Sequence, residues 1–463
     1  MISTATNPDH ARPVDLLTIP RRRPRTRAAS QTAHRAAAAL GVTLADLRPH
    51  NAPPPVGINI APGATTLITG HSGSGKSSIL HDIARTLRAH GWRVVQPSTR
   101  PFPERPCTDL FPGDPTRAMR HLARAGLGDA RCFIRPPSTL SLGEQTRLRL
   151  ARTMHRAEHL ARRGHRVVVL LDELGTTLDT LTARAVAALL RRFANAHPDL
   201  VVVAATSRDD LFADLAPDAH IHLGPSMPHR PARPLLDDIT IEPGDRADYL
   251  GLALHHYRPG LPATIVHTLV AWHRNTGTAA GVLTVSMPTR NGAWRTAAWP
   301  DLTITSLHHL NAEVRTISRV IVEPRFRGLG LARRLVRTYL TDPLTTRTEA
   351  VAAMGRACPF FEHAGMIPVI RPTSPRHQRL RTALDIASIP TWQLVNETDT
   401  LRRIQRSSHR GLLEDALRRW ANDSGATRRF AHGPLIDILH AAAPAITAAP
   451  VAYVHQQRRE VAA

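Results

Sequence analysis

The stretch GHSGSGKSS, residues 70 to 78, decides how the first half of the chain is understood. It fits G-x-x-x-x-G-K-[ST], with Gly70, Gly75, Lys76 and Ser77 in the fixed places. In a loop of that pattern, backbone N–H groups wrap phosphates and the lysine reaches the β/γ oxygens. The following hydroxyl, here Ser77, ligates Mg²⁺, and Gly73 and Ser78 complete the candidate phosphate-binding set. TTLITG before the loop has the pattern of a short apolar strand, and SSILHDIARTLRAH after it has helical spacing. Strand, loop and helix are the setting such a loop needs. Lys76 is also the only lysine among 60 basic residues. An ammonium is a compact charge on a thin stem, whereas a guanidinium is a broad fork too wide for the cradle.

A chain of 463 residues has room for two or three domains, and a hydrophobic fraction of 42% is enough for packed cores. No apolar run approaches the length of a membrane span, and no signal-peptide pattern opens the chain. Cys107, Cys132 and Cys358 form no metal-like pair or disulfide framework. A cytoplasmic protein without a membrane partner is therefore expected. The formal net charge is +23, with 37 acidic residues against 60 basic ones. That charge points to a polyanionic partner, nucleic acid first. Arginine bias from a GC-rich genome is the other source of the same charge.

Composition divides the chain. Residues 1–50 carry RRRPRTR at 21–27 and then an Ala-rich stretch, the pattern of a flexible basic arm with a short helix. GPSMPHRPARP, at 224–234, has four prolines and suits a linker, placed at 225–236. The expected order is an ATPase domain at 51–224, the linker, a second α/β domain at 237–375 and a helical extension at 376–463. The extension contains DTLRRIQRSSHRGLLEDALRRWAND, whose apolar spacing is helical.

Downstream of the phosphate loop, STLSLGEQTRLRLARTM at 138–154 contains Leu140, Ser141, Leu142, Gly143, Glu144 and Gln145. RVVVLLDELGTTLD then supplies a buried strand ending in Asp172 and Glu173, at the strand end where doubly wound folds bind ligands. Together these stretches resemble the ABC-type ATPases. The resemblance implies that Asp172 holds Mg²⁺ with Ser77 and that Glu173 orients or deprotonates the attacking water. It also implies that Ser141, Gly143 and Glu144 meet ATP on a second subunit, giving a homodimer that sandwiches ATP. Thr177, Leu178 and Asp179 fall where the family's dimer-contacting loop lies. Ser207 follows Thr206 where the family has a histidine, and Gln96 is the candidate for its conserved-loop glutamine. As a local signal, Ser141 and Glu144 also make a helix capping box.

VRTISRVIVEPRFRGLGLARRLVRTYL, at 314–340, carries a second resemblance. Arg325, Gly328 and Gly330 fit the R/Q-x-x-G-x-G/A motif of GNAT acyltransferases. AVAAMGRACPFFEHAGM, at 350–366, resembles that family's fifth strand and following helix. The resemblance implies an acyl-CoA cradle from Val322, Arg325, Arg327, Gly328, Leu329, Gly330 and Ala332, with acetyl-CoA or another acyl-CoA as donor. Phe360 and Phe361 stand where many relatives place a catalytic tyrosine. Glu313 and Tyr257 are the remaining acid–base candidates, Tyr257 within HHYRPG at 255–260 beside His255, His256 and Arg258. A surface glutamate and solvated loop histidines explain the same residues.

The two halves together resemble fused ATPase–acyltransferases whose acyltransferase half is similar to phage Mom-type DNA-modification proteins. The expected architecture is thus an ABC-type P-loop ATPase domain, a GNAT-like α/β domain and a helical C-terminal region. The expected cofactors are ATP, Mg²⁺ and an acyl-CoA. Three functions follow: an ATP-dependent acyltransferase of nucleic acid, an acyltransferase of a protein or small amine, or an ATP-driven nucleic-acid clamp with an inactive GNAT fold.

Overall fold

The computed structural model describes residues 2–6, 15–21, 30–39, 54–224, 233–256, 260–370, 373–448 and 450–457. The chain divides into two compact units. The first comprises Met1–Gly260, Leu269–Val282 and Ile321–Ala332, and the second Leu261–Thr268, Leu283–Val320 and Arg333–Ala463.

Eight strands come first: β1 (Ile2–Thr6), β2 (Leu16–Ile19), β3 (Val56–Asn59), β4 (Thr65–Gly70), β5 (Arg93–Val95), β6 (Val167–Leu171), β7 (Leu200–Thr206) and β8 (Ala219–Leu223). Six of them form a sheet in the order β1-β8-β4-β7-β6-β5. All pairs are parallel except β1, which runs antiparallel along β8. Every residue of β4, β6 and β7 is buried. That explains why TTLITG, VVVLL and LVVVAAT lack alternation, since parallel strands are covered on both faces. Crossover helices Lys76–Ala89, Leu142–Ala161 and Thr180–Ala196 join these strands. Ile68, Ile79, Ile83, Leu87, Val168, Val203 and Ile221 share one core.

The expected flexible arm needs correction. β1 extends the sheet edge, and β2 pairs antiparallel with β3 from Leu16↔Asn59 to Ile19↔Val56. Ile19 is fully buried in the same core, because LLTI offers the apolar side chains that an arm lacks. The Ala-rich stretch forms the helix Gln31–Ala39. Of the arginine run at 21–27, only Arg21 lies within the described residues. Residues 225–232 of the linker lie outside them. The linker's end is packed rather than loose: Leu235 is buried, and its N–H donates to Asp214 Oδ1 at 2.6 Å.

The later strands are β9 (Ile239–Gly244), β10 (His267–His273), β11 (Thr278–Ser286), β12 (Val314–Val322), β13 (Arg347–Ala352), β14 (Ile367–Val369) and β15 (Val451–Gln456). Their sheet order is β14-β15-β13-β12-β11-β10-β9. Parallel pairing of β12 with β13 stops at Ile317↔Ala350, although both strands continue. Helices Pro375–Ile386, Glu397–Arg406, Arg410–Asn422 and Leu435–Thr447 bury Leu384, Ile404, Leu417, Trp420 and Leu439 in a second core. The stretch 376–463 is nevertheless not a purely helical appendage. VAYVHQ forms β15, antiparallel to both β13 and β14. Its β-branched and aromatic residues favour a strand, and its partners lie far away in sequence.

Candidate functional site

β4 delivers the chain into the phosphate loop at Gly70, and the helix Lys76–Ala89 leaves it. Gly73 and Gly75 have φ of 81° and 94°, a left-handed backbone that side chains disfavour. A Cβ on Gly73 would meet nothing within 4 Å, so that glycine faces open space. Lys76 is buried to 8% exposure, and its Nζ donates to the carbonyls of Gly70 and His71 at 2.7 and 2.9 Å. The ammonium is thereby held against the loop it serves. Ser77 and Ser78 are exposed in the first helical turn, where backbone N–H groups lack helical partners and favour an anion.

Parallel pairing aligns the neighbouring strand ends. Thr69 pairs with Thr206, and Leu171 with Ala204. The phosphate loop after β4, Thr206–Ser207 at the end of β7 and Asp172–Glu173 after β6 therefore share the carboxyl edge. Asp172 and Glu173 are both exposed. Glu173 has φ of 51°, and its N–H donates to Asp172 Oδ1 at 3.0 Å. Left-handed backbone outside glycine stores strain that concentrates at functional sites.

Thr206 is fully buried, its hydroxyl donating to the Leu174 carbonyl at 2.8 Å. Ser207 is exposed, and Gln96 follows β5 at the same sheet edge, also exposed. Sequence reasoning passed over Arg208. Its guanidinium donates to the carbonyls of Gly175 and Leu178 and to Thr180 Oγ1, and pairs with Asp210 at 2.6 Å. Its hydrogen bonds to the Asp210 carboxylate raise its pKa. Arg208 thus fixes the loop containing Thr177, Leu178 and Asp179. Asp179 in turn caps the helix Thr180–Ala196. Burial opposes ionisation of Asp179, yet bonds from Thr182 and nearby Arg325 leave its pKa lowered.

Ser141 caps the helix Leu142–Ala161, accepting from Glu144 N at 3.3 Å while Glu144 Oε2 accepts from Ser141 N at 2.9 Å. The capping box is therefore formed, and Ser141 itself stays exposed. A Cβ on Gly143 would lie 3.3 Å from Leu178 Cδ2, and Thr146 Oγ1 is 3.0 Å from Thr177 Oγ1. Within one chain, the LSLGEQ turn packs on the 177–178 loop.

Arg21, the one described member of the arginine run, was also missed. One of its terminal nitrogens lies 3.4 Å from a Cβ built on Gly75. Burial lowers its pKa against an opposing pull from Asp82, and among the described residues its Nε has no hydrogen-bond partner. An arginine run gives no sequence signal of which member meets the phosphate loop.

The second glycine loop differs. Glu323 accepts from Arg325 N and Nε at 3.0 and 2.9 Å, pairing the motif's first arginine. Arg327 donates to the carbonyls of Val322 and His255 at 3.1 and 3.4 Å. Gly328 and Gly330 have φ of 84° and 83°. A Cβ on Gly328 would come within 2.7 Å of the Arg124 carbonyl oxygen, in the same unit. Protein backbone therefore already explains this glycine. Leu329 is buried and Ala332 half-buried.

The remaining acid–base candidates are mostly occupied. Glu313 accepts from Arg347, which also pairs with Asp301 at 2.5 Å, so it serves an ion pair rather than standing ready as a base. Tyr257 and Arg258 lie outside the described residues. Burial, and then Arg327, lower the pKa of His255. Phe361 is buried, its ring centroid 5.4 Å from that of Tyr453 on β15. The Tyr453 hydroxyl donates to the Gly355 carbonyl at 3.2 Å, and burial raises its pKa.

Residues 60–203 match the family model of the AAA ATPase domain. The aliphatic sulfonates import ATP-binding protein SsuB of Delftia acidovorans is 32% identical over 165 residues, 32% of this chain and 64% of that protein. The chain thus spans less than two thirds of that relative's length. Among solved structures, cbiO1 from Clostridium perfringens, part of the ABC transporter complex cbiONQ, is 18% identical over 34% of this chain and 72% of its own, with a TM-score of 0.26. A dimeric post-hydrolysis state of the ATP-binding cassette MJ0796 with ADP and phosphate is 21% identical over 36% and 84%, with a TM-score of 0.29. The matched region is thus similar to AAA ATPase domains and to part of an import ATP-binding protein.

Proposed function

We propose that the first unit binds Mg-ATP and hydrolyses it as a nucleotide-sandwich homodimer, and that hydrolysis drives action on a nucleic acid. The observation that carries this proposal is the convergence of the phosphate loop, Asp172, strained Glu173 and Thr206–Ser207 at one sheet edge. Lys76 would meet the β/γ phosphates, and the N–H groups around Gly73 and Gly75 would wrap them. Ser77 and Asp172 supply the hard oxygen ligands that Mg²⁺ favours. The metal would neutralise developing phosphate charge. Glu173 would orient the attacking water and accept its proton. Arg208, by fixing 175–180, would hold the segment that the second subunit meets. The net charge of +23 supports the polyanionic partner.

Acyl transfer is the second proposal. Its support is the parting of β12 and β13 beyond Ile317↔Ala350, just before Val322. Diverging strands leave backbone groups that a ligand can satisfy. The ion pairs of Arg325 and Glu313 favour the clamp reading over this one.

Glu173→Gln should bind Mg-ATP normally, release phosphate about 100-fold more slowly or worse, and accumulate as an ATP-bound dimer in light scattering. Unchanged turnover, or a monomer at saturating Mg-ATP, would overturn the assignment.

A further inference from the structure

We propose that the exposed face of the helix Leu142–Ala161, with the loop packed on it, docks the phosphate backbone of a nucleic-acid duplex. This deepens the nucleic-acid part of the function above and rests on it. The helix turns Leu148, Ala151, Met154 and Ala157 inward. On its outer side Arg149, Arg152, Arg156 and His159 recur at spacings of three and four, and Arg163 continues the stripe past the helix end. At 1.5 Å per residue the stripe is about 21 Å long. That length follows many phosphates of a duplex, whose charges recur about every 1.7 Å along the axis.

The stripe is built rather than merely exposed. Arg149 donates to the carbonyls of Ser98 and Arg100, the latter at 2.9 Å, tying loop to helix. The Phe102 ring lies beneath two guanidiniums, 4.4 Å from Arg149 and 5.8 Å from Arg152. It therefore fixes two cations before any partner arrives. The same loop adds exposed Arg100 and Arg105. Burial first, then Arg105 and Arg149, lower the pKa of Arg152, so the cations repel one another. The loop's carboxylate, Glu104, instead accepts from Ser138 at 2.6 Å.

Arginines set deeper in the fold meet carboxylates: Arg184 meets Asp214, Arg191 meets Asp218, and Arg295 meets Glu349. Among the described residues, none of Arg100, Arg105, Arg149, Arg152, Arg156 and Arg163 forms an ion pair. Unpaired, pre-positioned guanidiniums suit phosphate oxygens and carry no base readout. An anionic lipid surface would also want exposed large apolar side chains beside the cations, whereas Phe102, which lies among them, is half-buried beneath two guanidiniums.

The test uses the full chain, with fluorescence anisotropy against mixed-sequence DNA and RNA duplexes of equal length, titrated with salt. The triple change Arg152→Glu, Arg156→Glu and Arg163→Glu should weaken binding about 100-fold or more and lower the log–log salt slope by about 2.7. Retained Mg-ATP affinity shows that the variant is folded, and the corresponding Arg→Gln triple should give a smaller loss in the same direction. The duplex bound more tightly by wild type identifies which nucleic acid supplies the backbone. If wild type binds but the triple variant keeps its affinity and slope, this surface is wrong while the nucleic-acid reading stands. If wild type binds neither duplex at low salt, both fail. Equal binding to phosphatidylserine vesicles, lost in the same variant, would assign the face to lipid and overturn the proposal.

Discussion

Two glycine loops in this chain carry almost the same sequence promise. GHSGSGKSS and RFRGLGLA each follow a strand, precede a helix and place glycines at left-handed φ. Their surroundings are opposite. A Cβ on Gly73 would meet nothing within 4 Å, whereas one on Gly328 would press on the Arg124 carbonyl at 2.7 Å. Among the described residues the first loop's lysine bonds to its own loop's carbonyls, while the second loop's first arginine is paired with Glu323. A glycine motif states what the backbone must do. It does not state what presses on it.

The largest expected effect sharpens the first half of that comparison. Lys76→Ala should abolish measurable Mg-ATP binding in calorimetry, because the loop loses its one ammonium and keeps its carbonyls. Next comes the second loop. Gly328→Val should lower stability by about 1–3 kcal/mol through overpacking against Arg124, in addition to left-handed strain. Thermal unfolding should show that loss without any ligand present. Gly73→Ala should be milder, about 1 kcal/mol of backbone strain, while sharply weakening ATP through crowding of the cradle. If Gly328→Val leaves unfolding unchanged, the packing explanation breaks. The smallest effect belongs to Arg21→Ala, which should weaken Mg-ATP several-fold by removing a cation beside Gly75. Equal affinities in both proteins would confine Arg21 to packing.

The legible parts of the molecule were local. Lys76 alone among arginines, the buried run VVVLLDE and the box from Ser141 to Glu144 each specify geometry within a few residues. TTLITG and VVVLL were legible as strands because each is a short apolar run beside a motif. What escaped was set by contacts distant in sequence. VAYVHQ became a strand because β13 and β14 leave a place between them. Glu313 looked like a base until Arg347 and Asp301 were seen around it. Arg208 and Arg21 gave no signal because a composition rich in arginine hides the few that are placed. The LLTI strand was overlooked because the neighbouring arginine run dominated the first 50 residues.

Side-by-side calorimetric titrations of one wild-type preparation test the contrast between the loops most directly. With Mg-ATP, saturable heat from one site per chain is expected. With acetyl-CoA at the same concentrations, no saturable heat is expected. Saturable acetyl-CoA heat that disappears in Gly328→Ala, with unfolding unchanged, would contradict that contrast and restore the second loop as a ligand cradle.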